Sequence, residues 1–279
     1  MTTITASTAA TNEFRVISCT PMEQPKLYPK GTTKLTYRSG VDGQNDWALI
    51  CNDIDNARVW LVMLHGHGAK GDQIFTRPDI RPWQQTISKH GMAILSPNLR
   101  GNAWMGPAAT QDLHALLAHV RRDYGAETFI FASASMGGTG SLLYAVLHPE
   151  DVAAVVALCP ATDMAAYHAW ATHRSTPILQ EIATAIQQSY GGTPNDVPEV
   201  YAARSALAHC ETLTMPLTMA HGDSDATIPI KQSRQLVERL HLRGIDVSYK
   251  EILGGGHDAP LLEFETALND VVKRLIEVV

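Results

Sequence analysis

The chain lacks the features that mark several large classes of protein. It has four cysteines in 279 residues and no C-x-x-C pair, so neither a disulfide scaffold nor a cysteine metal site is predicted. No apolar run reaches the roughly 18 residues that a membrane-spanning helix needs. Lys and Arg number 22 against 28 Asp and Glu, without a basic cluster, so nucleic acids and membrane surfaces are not expected as partners.

The N-terminus also lacks a recognisable targeting signal. Its stretch MTTITASTAATNEF has neither the basic start nor the apolar centre of a secretion signal. We therefore expect a flexible leader over residues 1–12 and a cytoplasmic protein. With 45% hydrophobic and 18% charged residues, the rest has an ordinary globular composition, and we predict a single domain over residues 13–279.

From residue 57 onward, predicted strands alternate with predicted helices. ARVWLVML, MAILS, TFIFAS, VAAVVAL, PLTMAH and DVSYKEI are short apolar strands, each followed by a stretch with helical or loop character. Three earlier strands, FRVISCT, TTKLTYRSG and DWALICND, are joined by turns. This order predicts an α/β fold with a doubly wound, mostly parallel sheet and antiparallel strands at its N-terminal edge. Cys159 ends one apolar run and is expected to be buried as a small hydrophobe.

The segment over residues 161–215 interrupts this alternation because it is too long for a single crossover. It contains a helical stretch, PILQEIATAIQQSY, and a turn rich in Gly and Pro, GGTPNDVP. We interpret it as a small cap inserted over the carboxyl ends of the strands, where such sheets bind ligands.

The most informative motif is FIFASASMGGTG, in which a buried strand runs directly into a helix. Ser135 lies at the turn, with Ser133 two residues before it and Gly137 two residues after it. A nucleophile elbow normally has Gly at both outer positions, and the small side chain of Ser133 is a tolerable departure. The start of a helix also directs backbone donors at an anion formed there. We predict that Ser135 is a nucleophile.

A serine nucleophile needs a base, and the base needs a carboxylate to hold its tautomer. His257 follows the last predicted strand in the glycine-rich loop LGGGHDAP, and Asp225 follows PLTMAH in HGDSDATIP. These two residues are the predicted base and acid. Asp223 is the reserve for the acid, whereas Asp258 adjoins His257 and is poorly placed to turn back onto it.

A glycine-rich turn, HGHGAKG, follows the first central strand and is expected to face Ser135. The backbone N–H groups of Met136 and His67 are the predicted oxyanion hole, with Gly68 as the alternative to His67. The pair formed by His65 and His67 also permits a metal-site interpretation. Apart from the predicted triad, no second His/Asp cluster accompanies that pair, so we expect no metal.

Together HGHG, SASMGG, HGDSDATIP and GGGHDAP resemble the α/β-hydrolase superfamily over about residues 57–279. The turn HG-x-x-D-x-x-I-P is similar to the acid loop of its prolyl-oligopeptidase-like and dienelactone-hydrolase-like branches, and YGGTPNDVPEVYAARSAL to the segment before that loop. The resemblance implies Ser135 as nucleophile, Asp225 as acid and His257 as base. It also implies an acyl-serine intermediate and no cofactor.

The expected activity is that of a serine carboxylesterase acting on small short-acyl esters, including acetyl groups on a carbohydrate. Similar oligopeptidases carry a propeller domain before this region, whereas about 56 residues precede the central strand here, which favours a small ester. Trp104 is expected either to line the substrate pocket or to be a packing anchor. The alternatives are a small peptidase, for which Glu181 and Asp196 are the candidate amine-binding acids, and a ligand-binding protein that retains the triad.

Overall fold

A computed structural model describes residues 13–54 and 56–277, so the leader predicted for residues 1–12 lies outside the described residues. In this part of the chain nine strands form one sheet. The strands are β1 (Arg15–Pro21), β2 (Thr32–Arg38), β3 (Asn45–Cys51), β4 (Val59–Val62), β5 (Ala93–Pro97), β6 (Thr128–Ala134), β7 (Ala154–Leu158), β8 (Leu217–Gly222) and β9 (Ser248–Ile252). Each predicted strand is present, with its ends moved by a few residues.

The helices lie between the strands and after the last one. They are α1 (Gln73–Thr76), α2 (Trp83–Lys89), α3 (Pro107–Tyr124), α4 (Met136–Leu147), α5 (Met164–Thr172), α6 (Pro177–Tyr190), α7 (Pro198–Ala203), α8 (Lys231–Leu242) and α9 (Phe264–Glu277). None of them is long and apolar enough to cross a membrane.

The strand order is β1-β2-β3-β5-β4-β6-β7-β8-β9. The pairs among β1, β2, β3 and β5 are antiparallel, and all pairs from β5 through β4 to β9 are parallel. The predicted fold class, a doubly wound sheet with an antiparallel edge, is therefore confirmed. Parallel strands end at one edge, so the turns after β4, β6, β7, β8 and β9 all gather there.

Both faces of the sheet are buried, because successive side chains of a strand point to opposite faces. In β4 and just after it, Trp60 and Val62 join the hydrophobic core beneath α3 to α8, whereas Leu61 and Met63 join the core beneath α1, α2 and α9. This explains why the central strands are almost continuously apolar instead of alternating.

The segment between β7 and β8 contains three helices, α5 to α7, where one was predicted. Asp163 begins α5 by accepting the Ala166 N–H, a short-range cap that we did not identify from the sequence. Helix α6 packs on the loop after β5 through Tyr190, whose hydroxyl donates to the Trp104 carbonyl at 3.0 Å. The boundaries of the cap at residues 161–215 remain a prediction.

Candidate active site

Ser135 occupies a strained turn between β6 and α4. Its φ and ψ are 56° and −126°, and its N–H donates to the Leu158 carbonyl at 2.8 Å. A Cβ at Gly137 would overlap the Leu64 carbonyl oxygen, so only glycine fits at this outer position. Positive φ at a non-glycine residue marks stored strain that the surrounding structure must hold.

Ser133 has a local role that explains why it is tolerated at the other outer position. Its side chain is completely buried, and its Oγ accepts the N–H of Leu64 at 2.8 Å. Leu64 lies just after β4, so this hydrogen bond joins the turn after β4 to the strand that carries Ser135.

The structure brings Ser135, His257 and Asp225 into one chain of hydrogen bonds. His257 Nδ1 lies 2.6 Å from Asp225 Oδ2, and His257 Nε2 lies 2.8 Å from Ser135 Oγ. An ionised carboxylate only accepts, so Nδ1 carries the hydrogen and Nε2 is left to accept the Ser135 hydroxyl proton. This tautomer is the one in which the imidazole can act as a base toward the serine.

The competing carboxylates are engaged elsewhere. Asp223 accepts the Gly254 N–H at 2.7 Å and so ties the turn after β8 to the turn after β9. Asp258 is exposed and lies 3.3 Å from Arg77. Neither of them contacts the ring of His257 in the part of the chain that the structure describes.

Both carboxylate oxygens of Asp225 accept hydrogen bonds, which stabilise its ionised form. Its Oδ1 accepts the N–H groups of Thr227 at 2.7 Å and Ile228 at 2.9 Å. Burial by itself would raise the pKa of Asp225, but hydrogen bonds from His221 and His257 outweigh it, so this pKa lies well below its ordinary value. Burial by itself would likewise lower the pKa of His257, yet Asp225 and Cys159 raise it above its ordinary value.

His221, on β8, is a member of this cluster that we did not predict. It is fully buried, and its Nε2 lies 3.1 Å from Asp225 Oδ2 and 2.9 Å from the Ile228 carbonyl. Its Nδ1 lies 2.7 Å from Ser233 Oγ on α8. Two acceptors on the Nε2 side require a hydrogen there, so Nδ1 accepts the Ser233 hydroxyl. The sequence feature that could have indicated this role is the position of His221 at the end of the strand that leads into the turn carrying Asp225.

Cys159 also lies beside the cluster. It follows β7, is 1% exposed, and has a φ of 43°. Its sulfur and one ligand atom each from Asp225 and His257 lie within 4.8 Å of one another. The expectation that Cys159 is buried is confirmed, but its neighbours are the polar groups of the site and not only apolar side chains.

In the turn after β4, the two glycine N–H groups that flank His67 are bonded within the protein, whereas that of His67 is not bonded to any described residue. The Gly66 N–H donates to Gln73 Oε1 and the Gly68 N–H donates to Asn102 Oδ1, both at 2.8 Å. Within residues 13–54 and 56–277, the N–H groups of His67 and Met136 have no acceptor. An oxyanion hole needs two such donors, and this pattern favours His67 over Gly68.

The side chains of the H-x-H pair diverge. The nitrogens of His65 lie 2.8 and 2.9 Å from the carbonyl oxygens of Gly66 and Asn98. His67 Nδ1 accepts the indole N–H of Trp104 at 3.1 Å, and its Nε2 lies 3.2 Å from Glu181 of α6. Because both rings are already committed to different partners, this geometry does not favour the metal interpretation.

Trp104 and the two candidate acids of the cap have partners within the protein. Trp104 is 1% exposed and packs against Tyr167 with ring centroids 5.5 Å apart, so its contacts favour the packing role over direct contact with substrate. Glu181 holds His67, and Asp196 accepts the N–H and hydroxyl of Thr193. Burial lowers the pKa of His67, although Glu181 opposes this.

Comparisons with known proteins agree with this fold. The model of the prolyl oligopeptidase family matches residues 120–267, and that of the α/β-hydrolase fold matches residues 59–177. Esterase LipC of Mycobacterium tuberculosis is 36% identical over 67 residues, which span 24% of this chain and only 17% of LipC.

Two solved structures are similar over most of their length. The esterase Pf2001 of Pyrococcus furiosus has a TM-score of 0.65 at 15% identity, with 91% of this chain and 96% of that chain covered. A truncated carbohydrate esterase from gut microbiota has a TM-score of 0.64 at 18% identity, with 92% and 98% covered. At these identities the likeness concerns the fold.

Proposed function

The chain belongs to the prolyl oligopeptidase family of α/β-hydrolase serine hydrolases, and from that premise we propose that it is a carboxylesterase for short-acyl esters, including acetylated sugars. The observation that carries the proposal is the continuous contact from Ser135 Oγ through His257 to Asp225, at 2.8 and 2.6 Å. Hydrogen bonds of this length are what a general base needs to take the serine proton.

In the proposed first step, Ser135 Oγ attacks the ester carbonyl while His257 Nε2 takes its proton. The carbonyl oxygen becomes an oxyanion that accepts hydrogen bonds from the N–H groups of His67 and Met136. The intermediate then collapses, the bond to the alcohol breaks, and His257 gives its proton to the departing alkoxide oxygen. Ser135 is left acylated.

Water then removes the acyl group by the same route. His257 takes a proton from water, the hydroxide oxygen attacks the acyl carbonyl, and the bond to Ser135 breaks as His257 returns the proton to Oγ. Asp225 stays ionised throughout and stabilises the imidazolium, and His221 positions Asp225 through a second hydrogen bond to the same oxygen, Oδ2. No cofactor enters this sequence.

The contacts of the cap acids support an ester over a peptide with a free amine. A site for an ammonium group needs a carboxylate that is available to it. Glu181 contacts His67 and Asp196 contacts Thr193, so each of these carboxylates already has a partner within the protein. The family match keeps a small peptidase or amidase as the second candidate.

The test is hydrolysis of p-nitrophenyl acetate, butyrate and octanoate, with an aminoacyl p-nitroanilide as the amide substrate. We expect ester hydrolysis that falls with chain length and is abolished in Ser135→Ala. Ser224→Ala is the matched control, since Ser224 is an exposed serine that contacts Asp223 in the acid turn. Hydrolysis that survives in Ser135→Ala would contradict the proposal, and faster cleavage of the anilide would favour the peptidase.

A further inference from the structure

A groove lies beside the oxyanion turn and belongs to none of the catalytic steps above. It has a volume of about 680 Å³, and Gly68, Lys70, Lys34, Trp47 and Asn102 are among the residues that line it. We call it the lysine groove. Gly68 directly follows His67 in the chain, so the groove begins next to the proposed oxyanion donor and continues away from Ser135.

The sheet order gives the distance that a ligand must span. Trp47 lies on β3, and β4 and β5 separate that strand from β6, which leads to Ser135. Three strand spacings of ~4.8 Å make ~14 Å across the sheet. Trp47 is near the start of β3 and pairs antiparallel toward the end of β5, so it lies at the catalytic edge. A nitrophenyl ester is too short for this span, whereas a short oligosaccharide reaches it.

The cationic side chains of the groove are two lysines and one arginine. Lys34 Nζ lies 4.6 Å from the centre of the Trp47 ring, and within the described part of the chain neither Lys34 nor Lys70 has a carboxylate within 4.0 Å. Arg100 also lines the groove, but it is paired with two carboxylates, Asp42 at 2.7 Å and Asp112 at 2.6 Å, so the lysines are the cations left for a ligand. Asp72 supplies a single opposing carboxylate.

The groove also has groups that suit a polyol. Trp47 is half-buried, and because the Lys34 ammonium lies over its ring, the accessible part of the indole adjoins a cation. Asn102 uses its Oδ1 to accept the Gly68 N–H, which leaves its amide NH₂ as a donor for a ligand oxygen. An aromatic surface with a few oriented polar groups is the usual composition of a small-molecule site.

We propose that the lysine groove binds a carboxylate-bearing sugar in the alcohol part of the substrate, so that the preferred substrate is an acyl ester of an acidic oligosaccharide. This inference rests on the proposed esterase function for its catalytic meaning, but the groove's affinity for the sugar does not depend on catalysis. Lys34 and Lys70 bind the carboxylate, and Asn102 and Trp47 contact the sugar.

Binding is therefore tested in Ser135→Ala, which cannot turn over an ester. Calorimetry compares α-1,4-linked trigalacturonate with α-1,4-linked galactotriose, which differ only in their carboxylates. We expect the acidic sugar to bind roughly tenfold more tightly, equivalent to one charge-assisted hydrogen bond. Adding Lys34→Ala and Lys70→Ala removes that preference, whereas Lys231→Ala, an exposed lysine on α8, keeps it.

Kinetics separate failure of this inference from failure of the proposed function. In the active enzyme, the two lysine substitutions raise KM for an acetylated galacturonate oligomer and leave p-nitrophenyl acetate hydrolysis unchanged. Equal affinity for acidic and neutral sugars, or an equal loss with Lys231→Ala, overturns the groove assignment while ester hydrolysis by Ser135 stands. Absence of ester hydrolysis overturns the proposed function, and the sugar-binding result in Ser135→Ala then decides the groove separately.

Discussion

His221 Nε2 lies 3.1 Å from Asp225 Oδ2, the same oxygen that His257 Nδ1 contacts at 2.6 Å. Two histidines therefore share one carboxylate oxygen, one fully buried and the other facing Ser135. The buried ring is fixed by Ser233 on α8, so the acid is supported from the helix that follows its turn. This arrangement makes the orientation of Asp225 depend on packing between β8 and α8.

We expect His221→Ala to lower kcat for p-nitrophenyl acetate roughly tenfold to hundredfold, because a hydrogen bond to a charged group is worth about 1.5–3 kcal/mol. KM should change little, since His221 does not face the substrate. Ser233→Ala should have a smaller effect in the same direction, because it only loosens the ring. A change confined to KM would contradict the positioning role of His221.

Activity should be lost as pH falls through the pKa of His257. The base works only when its Nε2 is unprotonated, and Asp225 and Cys159 hold this pKa above the ordinary 6.5. The acid limb of kcat/KM should therefore lie above pH 6.5. In Asp225→Asn no carboxylate raises the pKa of His257, so the acid limb moves to lower pH. The kcat also falls about 10⁴-fold, because the catalytic tautomer of His257 is no longer held. An acid limb that does not move in this variant would argue against Asp225 as the acid.

The sequence predicted the fold and the candidate triad because both depend on local signals. Apolar strands reveal the sheet, and Ser135, Asp225 and His257 each follow a strand end. Residues whose role arises only from tertiary proximity were missed. Gln73 and Asn102 are 7 and 34 residues from the glycines that they contact, and no periodicity connects such pairs.

Asn102→Ala should weaken transition-state stabilisation by disordering the turn that presents the His67 N–H. Losing an oxyanion donor outright costs about 3–4 kcal/mol, and because the donor here is only loosened, we expect a smaller fall in kcat of roughly tenfold. Asn195→Ala, in an exposed turn of the segment after α6, is the control and should leave kcat unchanged. If Asn102→Ala alters only KM for p-nitrophenyl acetate, the turn does not act through the oxyanion.

Ser133→Gly should destabilise the protein even though it restores the usual glycine of a nucleophile elbow. The Leu64 N–H loses its acceptor at 2.8 Å in a fully buried site, and an unsatisfied buried donor costs about 1–3 kcal/mol. Added backbone freedom in the unfolded chain increases this loss. We therefore expect the urea midpoint to fall without a change in the slope of the transition.

Ser224→Gly, in an exposed turn, removes no buried hydrogen bond and controls for the effect of glycine on the entropy of the unfolded chain. Equal shifts in the two variants would mean that the Ser133 hydroxyl contributes nothing beyond its small size.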